Sequence, residues 1–563
     1  MRSRWLAGPV CLAIVVTLAD AIKPVLIDDT AYITYARHIA DHPLDPYGFE
    51  MFWYTYPHPA MEVLAPPVVL YWLALCIRLF GDNPVFLKLW MFPFAWIFAR
   101  SLESLLRRFA RGTEAAALPL IVLSPAVLPS MNLMIDIPAA ALGLAALAVF
   151  IRSADSRSAW LAVAAGVLTA LAMQTKYTAL LIPPLLLWYG LTHRALRLAL
   201  LAVVVGVQCF ADWEGLLLAK YGQSHFLFHL ADQDPGADFF RAKYALLAPL
   251  AGHLGCLGIG IGLYAGRAIG IPRTVLAAVA VLWGAGAAAI AVLPFKDTIL
   301  VQNHETEHIN LALGSLVWRT SGAIVLLIAA GCCCMLLFRR RRRRPLRWSA
   351  DSLFVVGWVL LEIAGYFALT PFPAARRVFG VTFALGVLAA RTVSRSQRMP
   401  GRRPPHWVLA FGIAAGVLIA ALDTFDAFPE KDLAERAAAA THAASSPDQR
   451  VWFIGHWGFQ YYCERAGMVP AIPGQSVFEP GDWFVRPLYP DDGRFFFRPY
   501  AGGVELMPPD DSCELVEVFV WDDWLSATTI PNYYGGKEPV LGRDHPRLRV
   551  GIYRIVKEWH AVP

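Results

Sequence analysis

The sequence predicts an α-helical polytopic membrane protein with about thirteen membrane-crossing helices and a small C-terminal α/β domain outside the bilayer. Three observations predict it. With 563 residues, 57% hydrophobic and 16% charged, the chain carries more apolar side chain than one water-soluble core can hold, so lipid must solvate the rest. The basic residues gather in short segments between apolar runs, which is how membrane proteins set their topology. After residue 425 the composition turns polar, and strand-like runs alternate with Gly and Pro turns. The net charge of +6 therefore belongs to topology signals, and no nucleic-acid partner is expected.

The chain opens Met1-Arg2-Ser3-Arg4, followed by an apolar stretch through Val16 with Ala19-Asp20-Ala21 behind it. A secretory signal has this form, but a run reaching to about Ile27 has the length of a span, and we read it as an uncleaved first helix. Both readings leave Asp28 outside. Val68–Phe80 follows Pro66 and Pro67 and makes a helix of about 21 Å, short of the ~30 Å hydrocarbon layer, so it is expected to lie on the outer surface. The run 85–106 ends in Arg107, Arg108 and Arg111 and crosses inward. Further spans are expected near 114–131, 137–152, 159–175, 178–193, 196–213, 244–264, 274–293, 315–338, 351–369, 375–392 and 406–424.

That parity places every strongly basic connection inside: Arg152 with Arg157, Arg194 with Arg197, Arg267 with Arg273, the arginine run 339–344, and the segment 395–403. It yields a transmembrane unit, 1–425, with outer loops 28–84, 214–243 and 294–314, and an extracytoplasmic α/β domain, 426–563. The outer domain is expected to begin with an Ala-rich helix, 433–444, and to hold strands near 451–454, 515–520 and Leu548–Ile555. Seven of the nine cysteines sit in or beside apolar runs, leaving Cys463 and Cys513 as the pair a disulfide in that domain would use.

Chemistry is sought at the outer ends of the spans. Asp28-Asp29-Thr30-Ala31-Tyr32 stands where the first helix meets the outer surface. Its carboxylates would serve as a proton-accepting base, or Asp29 would cap the helix that follows. Asp136, alone in a long apolar stretch and two residues before Pro138, reads as a helix N-cap or a site carboxylate. Lys176, in Gln174-Thr175-Lys176-Tyr177, would snorkel to water or bind a phosphate as a point charge. Topology brings all four charged residues to one face. Acids beside a cation suit transfer from a phosphate-linked donor to a hydroxyl, the carboxylate taking the proton and the cation steadying the departing phosphate.

As a set, Asp28-Asp29 after the first helix, the Pro66-Pro67 surface helix, Asp136 and Thr175-Lys176 resemble the membrane glycosyltransferases of the C superfamily. The likeness is greatest to glycosyltransferase family 39 and its relatives, the protein O-mannosyltransferase and lipid A aminoarabinose transferase group, and covers roughly the first 200 residues. The resemblance implies a GT-C type helical fold, a polyprenyl-phosphate sugar donor, a lipid, glycan or protein acceptor, and inversion at the transferred carbon. It also implies Asp28 as base, Asp29 and Asp136 as supporting acids, and Lys176 as a carrier-phosphate contact. Arg376 and Arg377 match the family's late basic position and would hold phosphate too, or anchor at the interface. Many relatives have Gly-Pro after the lysine; this chain has Tyr177-Thr178. The setting implied is a bacterial inner membrane, with the N-terminus cytoplasmic.

Other features compete. His225 and His229, with Asp232 and Asp234, are candidate acceptor, sugar or metal contacts, or ordinary loop residues. His304-Glu305-Thr306-Glu307-His308 matches the His-Glu-x-x-His pattern of zinc hydrolases. Glu307 between the histidines, the absence of an obvious third ligand and the polar Gln302-Asn303 approach argue against a metalloprotease. A divalent metal or a sugar contact there stays open. The aromatic residues Trp452, His456, Trp457, Phe459, Tyr461 and Tyr462 would build a core or stack on sugar rings. The chief rival function is a transporter or flippase, which would place ionisable groups at mid-membrane and show paired broken helices.

Overall fold

The computed structural model describes residues 8–63, 66–231, 243–293, 313–338, 348–397, 399, 401–488, 508–542 and 548–561. Asp232, Asp234, the motif residues His304, Glu305 and His308, and the arginine run 339–344 lie outside the described residues.

The helices start where local chemistry lets them. In α1 (Pro9–Ala21) proline takes the first position, where a missing N–H is harmless. The chain then turns through Ile27, a β-branched residue at φ 46°, into α2 (Asp29–Asp41). A hairpin, β1 (Glu50–Trp53) and β2 (Tyr56–Pro59), follows, and α3 (Val68–Phe80) packs on α2. In α4 (Pro84–Trp90) the Asn83 side chain accepts the Val85 N–H at 2.9 Å. With α5 (Phe92–Phe109) it completes the first long span. The span expected at 114–131 is instead a short helix, α6 (Glu114–Val122), and a run of turns to residue 135. Pro125 and Pro129 have no N–H to continue a helical ladder.

Next come α7 (Asp136–Ser156), α8 (Ala159–Met173), a 3-10 turn Tyr177–Leu181, α9 (Ile182–Thr192), α10 (Leu196–Tyr221) and α11 (His225–Ala231). The segment expected as one span at 244–264 is a broken pair, α12 (Leu247–Leu257) and α13 (Ile259–Ile269), bent by 83° at Gly258. They are followed by α14 (Arg273–Val292), α15 (Leu313–Phe338), α16 (Ala350–Leu369), a 3-10 turn Ala375–Val378 and α17 (Phe379–Ser396). The last span runs on as the 39-residue α18 (His406–Ala444), absorbing the Ala-rich stretch expected as a separate helix.

Among the described residues eight helices are long and apolar enough to cross a membrane, nine with the bent pair, and Pro9–Ala21, Val68–Phe80, Ala159–Met173 and Tyr177–Thr192 are shorter apolar helices. The protein is a multi-pass membrane protein. Several basic turns meet at one end of the bundle. Arg157 donates to the Arg194 carbonyl at 3.0 Å, Ser394 to that of Arg111 at 2.8 Å, and Arg402 to that of Ala268 at 3.5 Å. Helices α7 and α17 begin at Asp136 and just after Arg377 and run to this basic end, so the candidate residues occupy the opposite one.

Beyond α18 a five-stranded sheet has the order β4 (Val469–Pro470), β3 (Val451–Phe453), β6 (Trp483–Leu488), β10 (Leu548–Ile555), β7 (Cys513–Trp521). Its β3 pairings are parallel and the rest antiparallel. Helix α19 (Trp457–Arg465) connects β3 to β4. Cys463 and Cys513 are both free thiols. The first is packed in the main core and the second in a separate cluster with Trp452, Phe478 and Phe484, so the available pairing is not made. After β7, a segment turns back into the helical part: β8 (Ala527–Thr528), α20 (Ile530–Gly535) and β9 (Leu541–Gly542).

Candidate functional site

Four of the sequence-predicted residues line one cleft. It is a half-open cleft with a cavity volume of about 110 Å³ between α7, the Tyr177–Leu181 turn with α9, α16 and the start of α17, and Asp136, Lys176, Arg376 and Arg377 form its polar end. Below them the walls are apolar except for Glu362 of α16: Gly143, Leu144 and Leu147 on α7, Leu181 and Leu185 opposite, Trp358 on α16 and Phe383 on α17. Eleven residues of α7 separate Asp136 from Leu147, so the groove follows that helix for about 16 Å. A charged mouth above an apolar channel is the shape of an amphiphile.

The charges at the mouth are paired unequally. Asp28, 6% exposed, accepts from Arg376 Nη1 at 3.0 Å. Lys176 pairs with Asp136 Oδ1, while Asp136 Oδ2 has no hydrogen-bond partner. Both arginines lie within electrostatic reach of Asp136. Arg377 stacks on the Phe372 ring at 5.0 Å and, among the described residues, has no carboxylate within 4 Å. Three basic side chains thus face two carboxylates at the mouth, in a place where water is scarce and charge interactions are strong.

Adjacent aspartates have separate surroundings. Asp28 faces Arg376, whereas Asp29 is fully buried and its Oδ1 accepts the Leu133 N–H at 3.1 Å. Asp29 thereby ties the first turn of α2 to the irregular loop that leads into Asp136. Burial pushes its carboxyl up to about 7. Beneath it lie groups that sequence reasoning did not single out. Lys88 pairs with Asp20 at 3.4 Å and donates to the Lys23 carbonyl at 2.6 Å. Lys23 pairs with Asp423 at 3.1 Å and donates to the Pro129 carbonyl at 2.7 Å. From the C-terminal part, α20 inserts Tyr533 and Tyr534. The first donates to the Pro125 carbonyl at 2.9 Å, and the second to Asp423 at 3.1 Å and the Pro129 carbonyl at 3.3 Å. Carbonyls left unpaired when prolines break the 114–131 segment are thus satisfied by lysine and tyrosine side chains. Helix α20 also packs on the turn bearing Arg376 and Arg377.

Lys176 is held by its neighbours. Glu214 of α10 accepts from Gln174 at 3.0 Å, Ser224 at 2.7 Å and the Phe226 N–H at 3.0 Å. Tyr177 bonds to Glu214 at 3.5 Å and to His225 Nδ1 at 2.6 Å. His225 is 1% exposed, and its ring centroid is 4.4 Å from that of His229. The structure therefore places His225 against Tyr177, the residue that follows Lys176. Among the described residues no group of three or more His, Cys, Asp and Glu is placed to hold a metal ion.

No protein-family model matches the sequence, and no curated protein sequence matches it. Solved structures are similar at low identity. The Archaeoglobus fulgidus oligosaccharyltransferase tethered with an acceptor peptide is 14% identical, with a TM-score of 0.45 over 82% of this chain and 63% of that one. The archaeal oligosaccharyltransferase AglB from the same organism, in complex with an inhibitory peptide and a dolichol-phosphate, is 12% identical, with a TM-score of 0.46 over 85% and 69%. ArnT from Cupriavidus metallidurans, bound to undecaprenyl phosphate, is 16% identical, with a TM-score of 0.40 over 98% of both chains. This chain therefore spans less than two thirds of the first of these structures.

A residue with no sequence-based expectation stands inside the groove. Glu362 of α16 lines it, accepts the Trp358 indole N–H at 3.0 Å, and occupies the space that a side chain at Gly380 would fill. Its signal in the sequence is a lone charge within an apolar run, and Lys88 carries the same one.

Proposed function

We propose that the protein is a glycosyltransferase that moves a sugar from a polyprenyl-phosphate carrier to a lipid, glycan or protein acceptor at the outer face of the membrane. The observation that carries this reading is the cleft itself: a largely apolar groove about 16 Å long opening under Lys176, Arg376 and Arg377. A lipid phosphate fills such a site, its anion at the cations and its chain between the helices. In this reading Asp28, held by Arg376, accepts the proton of the acceptor hydroxyl as its oxygen bonds to the sugar carbon. The bond from that carbon to the phosphate oxygen breaks, and the carrier phosphate leaves as an anion steadied by Lys176 and Arg377. Asp136 keeps Lys176 oriented, and Asp29 braces the loop behind it. The setting proposed is a bacterial inner membrane, with the N-terminus cytoplasmic and residues 426–563 an outer domain that shapes acceptor choice.

Two variants in lipid nanodiscs separate the roles. Asp28→Asn is expected to lower transfer by about 10²- to 10⁴-fold while retaining undecaprenyl phosphate, and Arg377→Met to lose carrier affinity. Transfer by Asp28→Asn at the parental rate, or unchanged carrier affinity in Arg377→Met, would refute the assignment.

A further inference from the structure

The tip of the β1–β2 hairpin packs against His456. The imidazole centroid lies 4.2 Å from the Tyr54 ring and 4.5 Å from the Trp53 ring, the latter nearly perpendicular to it. Tyr54 also sits within electrostatic reach of Asp28 and Arg376, so this aromatic pocket adjoins the mouth of the cleft. Tyr54 at φ 60° and Trp457, the residue after His456, at φ 59° hold left-handed backbone without being glycine. Strain of this kind persists only where surroundings impose it, and it gathers at functional positions. The Trp457 carbonyl accepts the Thr30 hydroxyl at 2.7 Å, which ties the strained segment to the same turn that bears Asp28.

Hydrogen bonding settles which nitrogen of His456 carries the proton. Gln460 Nε2 donates to Glu464 at 2.8 Å and to the Phe52 carbonyl at 3.4 Å, so its Oε1 faces His456 Nδ1 at 2.9 Å as an acceptor. Nδ1 must then be the N–H, and Nε2 is a bare acceptor. Among the described residues Nε2 has no partner, although His456 is only 7% exposed. Burial holds the ring neutral, with its pKa pushed down to about 3, so it offers a lone pair and not a charge.

We propose that Trp53, Tyr54 and His456 form the subsite for the donor's sugar ring, His456 Nε2 accepting a hydrogen bond from a ring hydroxyl. Sugar rings present C–H faces to aromatic side chains and hydroxyls at their edges, and this site supplies a match for both. The proposal rests on the reading of the protein as a polyprenyl-phosphate-dependent glycosyltransferase.

The test compares affinities of the full-length protein in nanodiscs for undecaprenyl phosphate, bare and loaded with glucose, mannose or arabinose. In the parent, at least one loaded carrier is expected to bind at least tenfold more tightly than the bare one. His456→Phe is expected to remove that ratio and leave bare-carrier affinity within twofold, Trp53→Ala to reduce it, and His456→Gln, which keeps an acceptor, to retain part of it. A parental ratio near one, or a ratio that His456→Phe leaves unchanged, overturns the subsite. Failure of the bare carrier to bind at all points instead to the carrier reading, and the subsite falls with it.

Discussion

Replacing Lys23 with methionine tests the buried charge pairs beneath the site. The Lys23 side chain is 3% exposed and that of Asp423 0%, with 3.1 Å between Nζ and Oδ2. At an effective dielectric of about 20 their attraction is about 5 kcal/mol, and removing one partner of such a pair typically costs about 3–5 kcal/mol because the other charge stays buried. In Lys23→Met, Asp423 keeps the Tyr534 hydroxyl at 3.1 Å as a donor, and the Pro129 carbonyl loses its 2.7 Å partner. A loss of about 3–5 kcal/mol is therefore expected. The double variant Lys23→Met, Asp423→Asn should recover more than half of it, since no unpaired charge then remains. The protein supplies its own reporters: Cys76, Cys256 and Cys463 are buried, free thiols that become reactive on unfolding, while Cys209 and Cys334 are exposed and set the baseline. Thermal unfolding in detergent, followed with a thiol-reactive fluorophore, reads the result. A single variant within about 1 kcal/mol of the parent, or a double variant no more stable than the single, would show that the pair contributes little.

Two further outcomes follow from the same packing. The Asp29 carboxyl has a pKa near 7 in the folded chain against 3.8 unperturbed, so the folded state holds its proton longer than the unfolded one. Its contribution to stability is complete below pH ~4 and is lost as pH rises to about 7. Asp29→Asn, which keeps an acceptor for the Leu133 N–H, should flatten the fall in unfolding temperature across that window, and a parallel pH profile would contradict it. Glu214→Leu removes the acceptor shared by the Gln174, Ser224 and Phe226 donors behind Lys176 and should weaken undecaprenyl phosphate binding at least tenfold, with Glu214→Gln intermediate. Parental affinity in the leucine variant would remove Glu214 from the positioning of Lys176.

How far the fold was legible depends on how local its causes were. Strands at 451–454, 515–520 and Leu548–Ile555 were read from alternation and turn residues and occur as β3, β7 and β10. Strand β6 was not anticipated, because Pro487 within it reads as a breaker. The bend at Gly258 and the unwound stretch after α6 also escaped, since a hydropathy window averages over the prolines and glycines that break a helix. Asp28, Asp136 and Lys176 are legible from their places at span ends, and Arg376 and Arg377 from the family resemblance. His225 is legible as a candidate contact, but its burial against Tyr177 is set by that bond and not by its own identity.

Composition and the spacing of charges by themselves determined that this chain lives in lipid, which residues sit at its ends and that one end is basic, because each follows from the transfer of a side chain between water and hydrocarbon. Only the tertiary structure decided that Asp28 meets Arg376 across 348 residues and that Asp29 turns away to Leu133. It also decided that a C-terminal tyrosine pair completes a loop broken by proline. The reason is physical: a buried polar group must find a partner, but nothing in its local sequence says from which distant segment that partner comes.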